Sequence, residues 1–302
     1  MNIETEKLNA SPALLDPEDF LSDSLQTLYD HQPIVLTTSG APFTYTWKHS
    51  CIREHEHGAE CKIPVTISLR TPDTAAANWA LQASSIWASS TYLADHLIDL
   101  NLDHHLQQAS RTGYDCHVLE LGASAGLPSI LIAKLYPAIV VTATDYPDDA
   151  LLQTLSNNVR RNSVAQSCTV FPFAWGTDPT LILGEGREKF DVIIAADTLW
   201  NPDLHEIFVD ALKSTLRKTP GARIHIVVGL HTGRYTVGSF LKHVSTSGFD
   251  VEGVAERQLT GTLCREWDVD RENEDDQERR KWIVWIQLKW TTTAYNERTG
   301  YF

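Results

Sequence analysis

A strand-like apolar run ending in an acid leads into a turn of small residues: Val118-Leu119-Glu120-Leu121-Gly122-Ala123-Ser124-Ala125-Gly126-Leu127-Pro128. Small residues let a backbone approach a ligand closely, and the N-terminus of the helix behind them favours negative charge. Nineteen residues after Gly126 comes Asp145, at the end of a second apolar run, Ala138-Ile139-Val140-Val141-Thr142-Ala143-Thr144. An acid at the tip of the second strand is where a doubly wound α/β fold holds a ribose by its hydroxyls. Together these features predict a site for a nucleotide-type cofactor.

Glu120 narrows the choice of cofactor. A dinucleotide fingerprint has the form Gly-x-Gly-x-x-Gly and accommodates a pyrophosphate. Here Gly122 and Gly126 flank Ser124, and the acid stands two residues before the first glycine. A carboxylate at that point repels a pyrophosphate but suits a sulfonium cofactor carrying an amino group. That points to S-adenosylmethionine (SAM). Glu120 is then the partner of the methionine amino end, Asp145 accepts from both ribose hydroxyls, and Tyr146 flanks the adenine. Methyl transfer from a sulfonium is a direct displacement, so the protein mainly aligns the reacting atoms and keeps water out. A base is needed only if the nucleophile arrives protonated.

The run Leu119 to Ser129, with Thr144-Asp145-Tyr146-Pro147-Asp148, resembles class I SAM-dependent methyltransferases. Within them the chain is similar to methyltransferase family 16, the nicotinamide N-methyltransferase-like and elongation-factor lysine methyltransferase-like group. Further likeness lies in Trp79 with Ser85-Ile86-Trp87, in Phe173-Ala174-Trp175-Gly176 and in Ala196-Asp197-Thr198-Leu199-Trp200-Asn201. Gly229-Leu230-His231-Thr232-Gly233-Arg234 resembles a fungal branch, and the likeness covers roughly residues 75–290. It departs at Ser124, where the family usually has glycine; serine there could narrow the pocket or donate a hydrogen bond.

The resemblance implies that the Trp175 ring lies near the adenine, that Trp87 packs near the cofactor end of its helix, and that Asp197 contacts substrate and methionine. Asp197 opens the segment matching the family's Asp-x-x-aromatic motif, with Trp200 where tyrosine or phenylalanine is common. Trp200, Asn201 and Arg234 are the substrate-binding candidates. Arg234 could pair with an acidic substrate group or cap backbone carbonyls. Asp197 and His231 are the catalytic candidates, because a histidine titrates at about pH 6.5 and suits general-base work. The Asn/Asp-Pro-Pro-aromatic motif of nucleobase amino methyltransferases is absent, and Asn201-Pro202-Asp203 does not replace it.

The elements that must position these residues alternate in type. Strands are expected at 116–121, 139–144, 168–173, 190–196 and 223–230, and helices at 127–136, 148–162, 203–218 and 235–247. That alternation implies a parallel sheet covered on both faces. Two strand-like runs near 250–258 and 282–290 match the antiparallel terminal hairpin of a class I methyltransferase. The fold class expected is α/β, a doubly wound, seven-stranded Rossmann-like methyltransferase sheet with an N-terminal helix and strand extension. The extension covers 1–75 and packs on the core, the methyltransferase domain covers 76–292, and 293–302 is a tail. In the extension, Asp16 to Tyr29 reads as a helix and 43–47 and 63–69 as strands. Residues 78–100 read as a helix leading to the cofactor turn, and the charge run Asp268 to Arg280 as an exposed loop.

The 302 residues carry a formal net charge of -14, with 42% hydrophobic and 21% charged residues. That charge argues against a general nucleic-acid binder, which needs a basic face. No apolar run reaches the ~18 residues of a membrane span. The first residues lack the pattern of a signal peptide, and five cysteines, an odd number, suggest reduced thiols in the cytoplasm or nucleus. Cys51, His55, His57 and Cys61 could ligate zinc, but their spacing matches no common zinc module, so no metal is expected. The function expected is a SAM-dependent N-methyltransferase with an amine acceptor, either a protein lysine or N-terminus or a small amine. The alternatives are an O- or N-methyltransferase of secondary metabolites and a non-catalytic SAM-binding regulatory partner.

Overall fold

The strands of the central sheet are buried on both faces, and the parity of their side chains sorts them between two apolar layers. A computed structural model describes residues 34–47, 64–74, 76–184, 186 and 189–296. The expected helix at Asp16 to Tyr29 and the Cys51, His55, His57 and Cys61 group lie outside the described residues, as does the side chain of Trp79. The elements run β1 (Pro42–Trp47), β2 (Val65–Arg70), α1 (Ala88–Asp95), α2 (Leu102–Thr112), β3 (Cys116–Leu121), α3 (Leu127–Leu135), β4 (Ile139–Asp145), α4 (Asp149–Arg161), β5 (Cys168–Pro172) and β6 (Val192–Ala196). They continue with α5 (His205–Thr215), β7 (Arg223–Gly229), α6 (Arg234–Ser245), β8 (Phe249–Gln258), β9 (Cys264–Glu266) and β10 (Trp282–Trp290).

Among the described residues the sheet has the order β5-β4-β3-β6-β7-β10-β8-β9. The first five of these strands are parallel, β10 pairs antiparallel with both β7 and β8, and the three-residue β9 adds an eighth strand at the edge. This is the doubly wound Rossmann-like methyltransferase fold, with the seven expected strands and their C-terminal hairpin. Val118, Val141, Ile194 and Val227 pack on α1, α3 and α4, while Leu119, Ile193, Ile226 and Val228 pack on α5 and α6. β3 lies between β4 and β6, so the connections reverse direction beside its C-terminal end, where α/β folds place their ligands.

The hairpin β1–β2 joins the first apolar layer through Tyr45, Ile67 and Leu69. The free edge of β2 is satisfied by two side-chain amides in place of a third strand. Asn162 accepts from the Ser68 amide at 3.0 Å and donates to its carbonyl at 2.9 Å. One helical turn earlier, Asn158 does the same with Arg70, at 2.9 and 2.8 Å. Four residues of helix advance about 6.0 Å and two of strand about 6.7 Å, so the two spacings match. Asn158 also donates to the carbonyl of Ala125 in the glycine-rich turn at 2.9 Å.

Two expectations change. The helical pattern at 78–100 breaks into a short 3-10 helix at Ala76–Leu81, an irregular stretch at 82–87, and α1. The charge run from Asp268 is anchored rather than loose, because the Glu274 side chain is 4% exposed and holds Arg234 and Arg265. Among the described residues no helix is long and apolar enough to cross a membrane.

Asn158 is wholly buried, and Asn158→Ala strips partners from Arg70 and Ala125 together. A loss of about 2–4 kcal/mol is expected on denaturant unfolding, since each buried group left unpaired costs about 1–3 kcal/mol. A loss below about 0.5 kcal/mol would show that the amide ladder does not hold the hairpin.

Candidate functional site

One cavity lies over the C-terminal ends of β3, β4 and β6, and it gathers most of the residues singled out by sequence. Trp87, Glu120, Gly122, Ser124, Gly126, Asp145, Tyr146, Trp175, Asp197 and Trp200 all line it. Among the described residues of its wall there is no lysine, arginine or histidine. Three carboxylates therefore face a largely apolar space with no cation beside them.

Each carboxylate is held by backbone or helix geometry. Glu120 is 2% exposed and projects from β3 towards the first turn of α3. There the Ser129 amide donates to it at 3.0 Å, and the Ser129 hydroxyl donates as well. A helix N-terminus is a favourable place for an anion. Burial still dominates and pushes the Glu120 carboxyl up to about 8, against the lowering effect of Ser129. Asp145 ends β4, 8% exposed. Its Oδ2 accepts from the Ser124 amide and its Oδ1 from its neighbour Tyr146, both at 2.7 Å. Burial raises its carboxyl to about 6. Each oxygen keeps a lone pair for a further donor.

Asp197 follows β6 with φ of 53°, a left-handed conformation that is strained for a residue with a Cβ. Its Oδ1 accepts from the Gly229 amide at 2.8 Å, while its Oδ2 is buried with no hydrogen-bond partner among the described residues. Thr198 beside it is 6% exposed, and its hydroxyl oxygen is also without a partner. Buried polar atoms are normally paired, so these two point to a ligand.

The turn between β3 and α3 approaches the cavity because its glycines lack side chains. A Cβ on Gly122 would stand 3.0 Å from Thr198 and 3.8 Å from Trp175, and one on Gly126 2.5 Å from Leu155. Both glycines have positive φ, at 72° and 84°. Trp175 rests on Phe208 with ring centroids 4.5 Å apart. Tyr146 sits at the rim, 42% exposed.

Three expected residues stand elsewhere. His231 is not in the cavity wall; its ring stacks on Trp87 at 5.3 Å and lies against Gly229. It therefore backs the wall rather than facing the space. Asn201 caps the short 3-10 turn Pro202–Leu204 by accepting from the Asp203 amide at 3.1 Å, so its side chain is a structural cap. Arg234 is 7% exposed and is used up in the fold. It binds Glu256 at 2.6 and 2.9 Å, Glu274 at 2.8 and 2.9 Å, and the Asp268 carbonyl at 2.6 Å. A guanidinium so committed is not a substrate ligand.

Sequence reasoning gave no separate role to Ser129 or Thr198 and, in the segment 82–87, singled out Ser85-Ile86-Trp87 without Gln82 and Ala83, which join them in the wall. Ser129 was legible as a hydroxyl in the first turn after the glycines. The break in the helix at 82–87 was hidden by an apolar spacing that continues across it.

The raised carboxyls make stability depend on pH. Folded Glu120 keeps a proton that the unfolded chain gives up near 4.5, so the ligand-free fold loses stability as pH rises towards about 8. Asp145 acts in the same sense from 3.8 to about 6. The buried His105, His205 and His225, whose pKa values burial lowers, act in the opposite sense, so the test is the difference between two proteins: from about pH 5 to about pH 8 the ligand-free protein is expected to lose about 2–4 kcal/mol of stability relative to Glu120→Gln in thermal unfolding. Parallel pH profiles for the two proteins would contradict this.

A family model described as lysine methyltransferase matches residues 77–247. The protein N-terminal and lysine N-methyltransferase of Schizosaccharomyces pombe is 29% identical over 188 residues, 60% of this chain and 70% of that one. The protein of the same description from Neurospora crassa is 28% identical over 234 residues, 70% and 75% of the two chains. That from Gibberella zeae is 29% identical over 197 residues, 59% and 71%. With over half its length matched, the cavity at its switch point and the Glu120, Gly122, Gly126 and Asp145 framework in place, the chain belongs to methyltransferase family 16 and is a methyltransferase.

Proposed function

We propose that the protein uses SAM to methylate an amine of a protein acceptor, a lysine side chain or an N-terminus. The observation that carries this reading is a cavity lined by Glu120, Asp145 and Asp197 with no basic side chain among its described residues. Asp145 and Asp197, and Glu120 once it gives up its proton beside a bound cation, attract a ligand with a sulfonium and an ammonium and repel a pyrophosphate. The unpartnered Asp197 Oδ2 supports a polar ligand on the same wall.

SAM supplies an electrophilic methyl group when bound. Asp145 offers an oxygen to each ribose hydroxyl, held in place by the Ser124 and Tyr146 amides. Glu120 holds the methionine amino end, and Trp175 and Tyr146 flank the adenine. Asp197 holds the ammonium of the methionine end or of the acceptor through Oδ2, and Trp87 and Trp200 close the apolar wall that keeps water out. An acceptor amine must shed a proton before it attacks. An N-terminal amine titrates at about 7.7–8.0 and needs little help at neutral pH. His231, behind Trp87, then serves to hold that wall, and general-base duty falls to the solvent or to Asp197.

The mouth of the cavity favours a protein acceptor over a small one. Asp203 and Glu206 stand exposed beside Trp200, Leu204 and Ile207, and their carboxylates suit a basic segment around the target amine. The relatives' descriptions as N-terminal and lysine N-methyltransferases support the same choice. Buried free thiols at Cys116 and Cys168 are in keeping with a reducing compartment, the cytoplasm or nucleus.

Incubating the protein with methyl-labelled SAM and a cell lysate is expected to place label on lysine or N-terminal amines of proteins. Asp145→Ala is expected to abolish that transfer and to weaken S-adenosylhomocysteine binding about 100-fold or more, since two charged hydrogen bonds are lost. Label confined to small molecules would select the metabolite alternative. Unchanged binding in Asp145→Ala would remove the cofactor assignment.

A further inference from the structure

The segment 82–87 crosses the glycine-rich turn and forms one wall of the cavity, contributing Gln82, Ala83, Ser85, Ile86 and Trp87. Its C-terminal end is tied to the N-terminal stretch. The Leu36 amide donates to the Ile86 carbonyl and the Ile86 amide to the Thr37 hydroxyl, both at 2.8 Å. Upstream, the Asn78 amide group donates to Asp148 at 2.7 Å. Between these anchors the chain turns through Gln82, whose φ is 55°, and the Gln82 carbonyl accepts from the Trp87 indole of the same segment, at 2.9 Å.

Ser124 makes the connection across the cavity. Its hydroxyl donates to the Ala83 carbonyl at 2.6 Å and reaches the Ser85 carbonyl at 3.4 Å. Among the described residues no other side chain donates to either carbonyl. The Ser124 amide simultaneously donates to Asp145 Oδ2 at 2.7 Å. Ser124 does this at φ of 48°, a left-handed conformation that glycine adopts freely and that a side chain takes at a cost. The cost is offset only if the side chain is used.

We infer that Ser124 is a positioning residue that retains the cofactor: its hydroxyl latches the segment 82–87 over the cavity while its amide aims the Asp145 carboxylate. The wall closes and the ribose ligand is set by one residue, so a loosened wall shortens the life of the bound cofactor. The inference rests on the SAM reading above.

Two variants separate the latch from plain destabilisation. Ser124→Ala removes the hydroxyl and keeps the strained backbone, whereas Ser124→Gly removes the hydroxyl and relieves the strain. Their unfolding temperatures should therefore differ, with the glycine variant the more stable. Both should release S-adenosylhomocysteine about 3- to 10-fold faster than the unaltered protein in stopped-flow chase, the effect of one lost hydrogen bond. Amides 83–86 of both ligand-free variants should exchange hydrogen faster, while those of β7 stay protected. Release at the unaltered rate in either variant overturns the inference, whatever the exchange shows. Failure of the unaltered protein to bind S-adenosylhomocysteine overturns the cofactor reading itself, and retention with it.

Discussion

Three buried or part-buried carboxylates, with no basic side chain beside them among the described residues of the cavity, set the terms for the rest of this structure. Glu120, Asp145 and Asp197 lie at the ends of adjacent strands around one cavity. Burying an anion costs several kcal/mol unless something compensates it. Compensation comes from fixed dipoles: the first turn of α3 with Ser129 for Glu120, two backbone amides for Asp145, and the Gly229 amide for Asp197. It is incomplete, because burial still raises the Glu120 and Asp145 carboxyls to about 8 and about 6. In the proposed function a ligand bearing a cation completes it, so stability given up in the free protein would return as binding.

Much of the surrounding fold keeps that arrangement fixed. The glycine-rich turn must stay close to the cavity, and it is held from two sides. Asn158 of α4 grips Ala125 from below and carries the β1–β2 hairpin on the same amide. Ser124 grips Ala83 from above. Behind β7, Arg234 is clamped between Glu256 and Glu274, which fixes the start of α6 directly after the loop bearing His231. A buried pair of this kind is strongly destabilising to break. The clamp lies three residues beyond His231, whose ring stacks on Trp87 of the cavity wall.

The sheet and the carboxylates that line the cavity were legible in the sequence for a definite reason. Val118 to Leu121 and Ile139 to Thr144 are near-continuous apolar runs, as strands buried on both faces require. An acid at the end of such a run has few uses other than a ligand. Residues that depend on tertiary partners were not legible. Arg234 reads as a free cation because its partners, Glu256 and Glu274, are distant in sequence and the second sits in what looks like a solvated charge run. Asn201 reads as a substrate ligand only until its cap on Asp203 is visible. His231 reads from its position just after a strand as a residue at that strand's end, but nothing in the sequence puts it behind Trp87, because ring stacking leaves no mark in spacing. Asn158 and Asn162 did leave one: two amides a helical turn apart on the stripe that Leu155 and Val159 bury.

The central claim is that the cavity binds a nucleoside bearing an amino acid and rejects a pyrophosphate. Calorimetric titration of the ligand-free protein with S-adenosylhomocysteine, and separately with NAD, tests it most directly. Micromolar affinity for the first and none for the second is the expected result. Binding of NAD, or of neither, would contradict the cofactor-binding role of Glu120, Asp145 and Asp197.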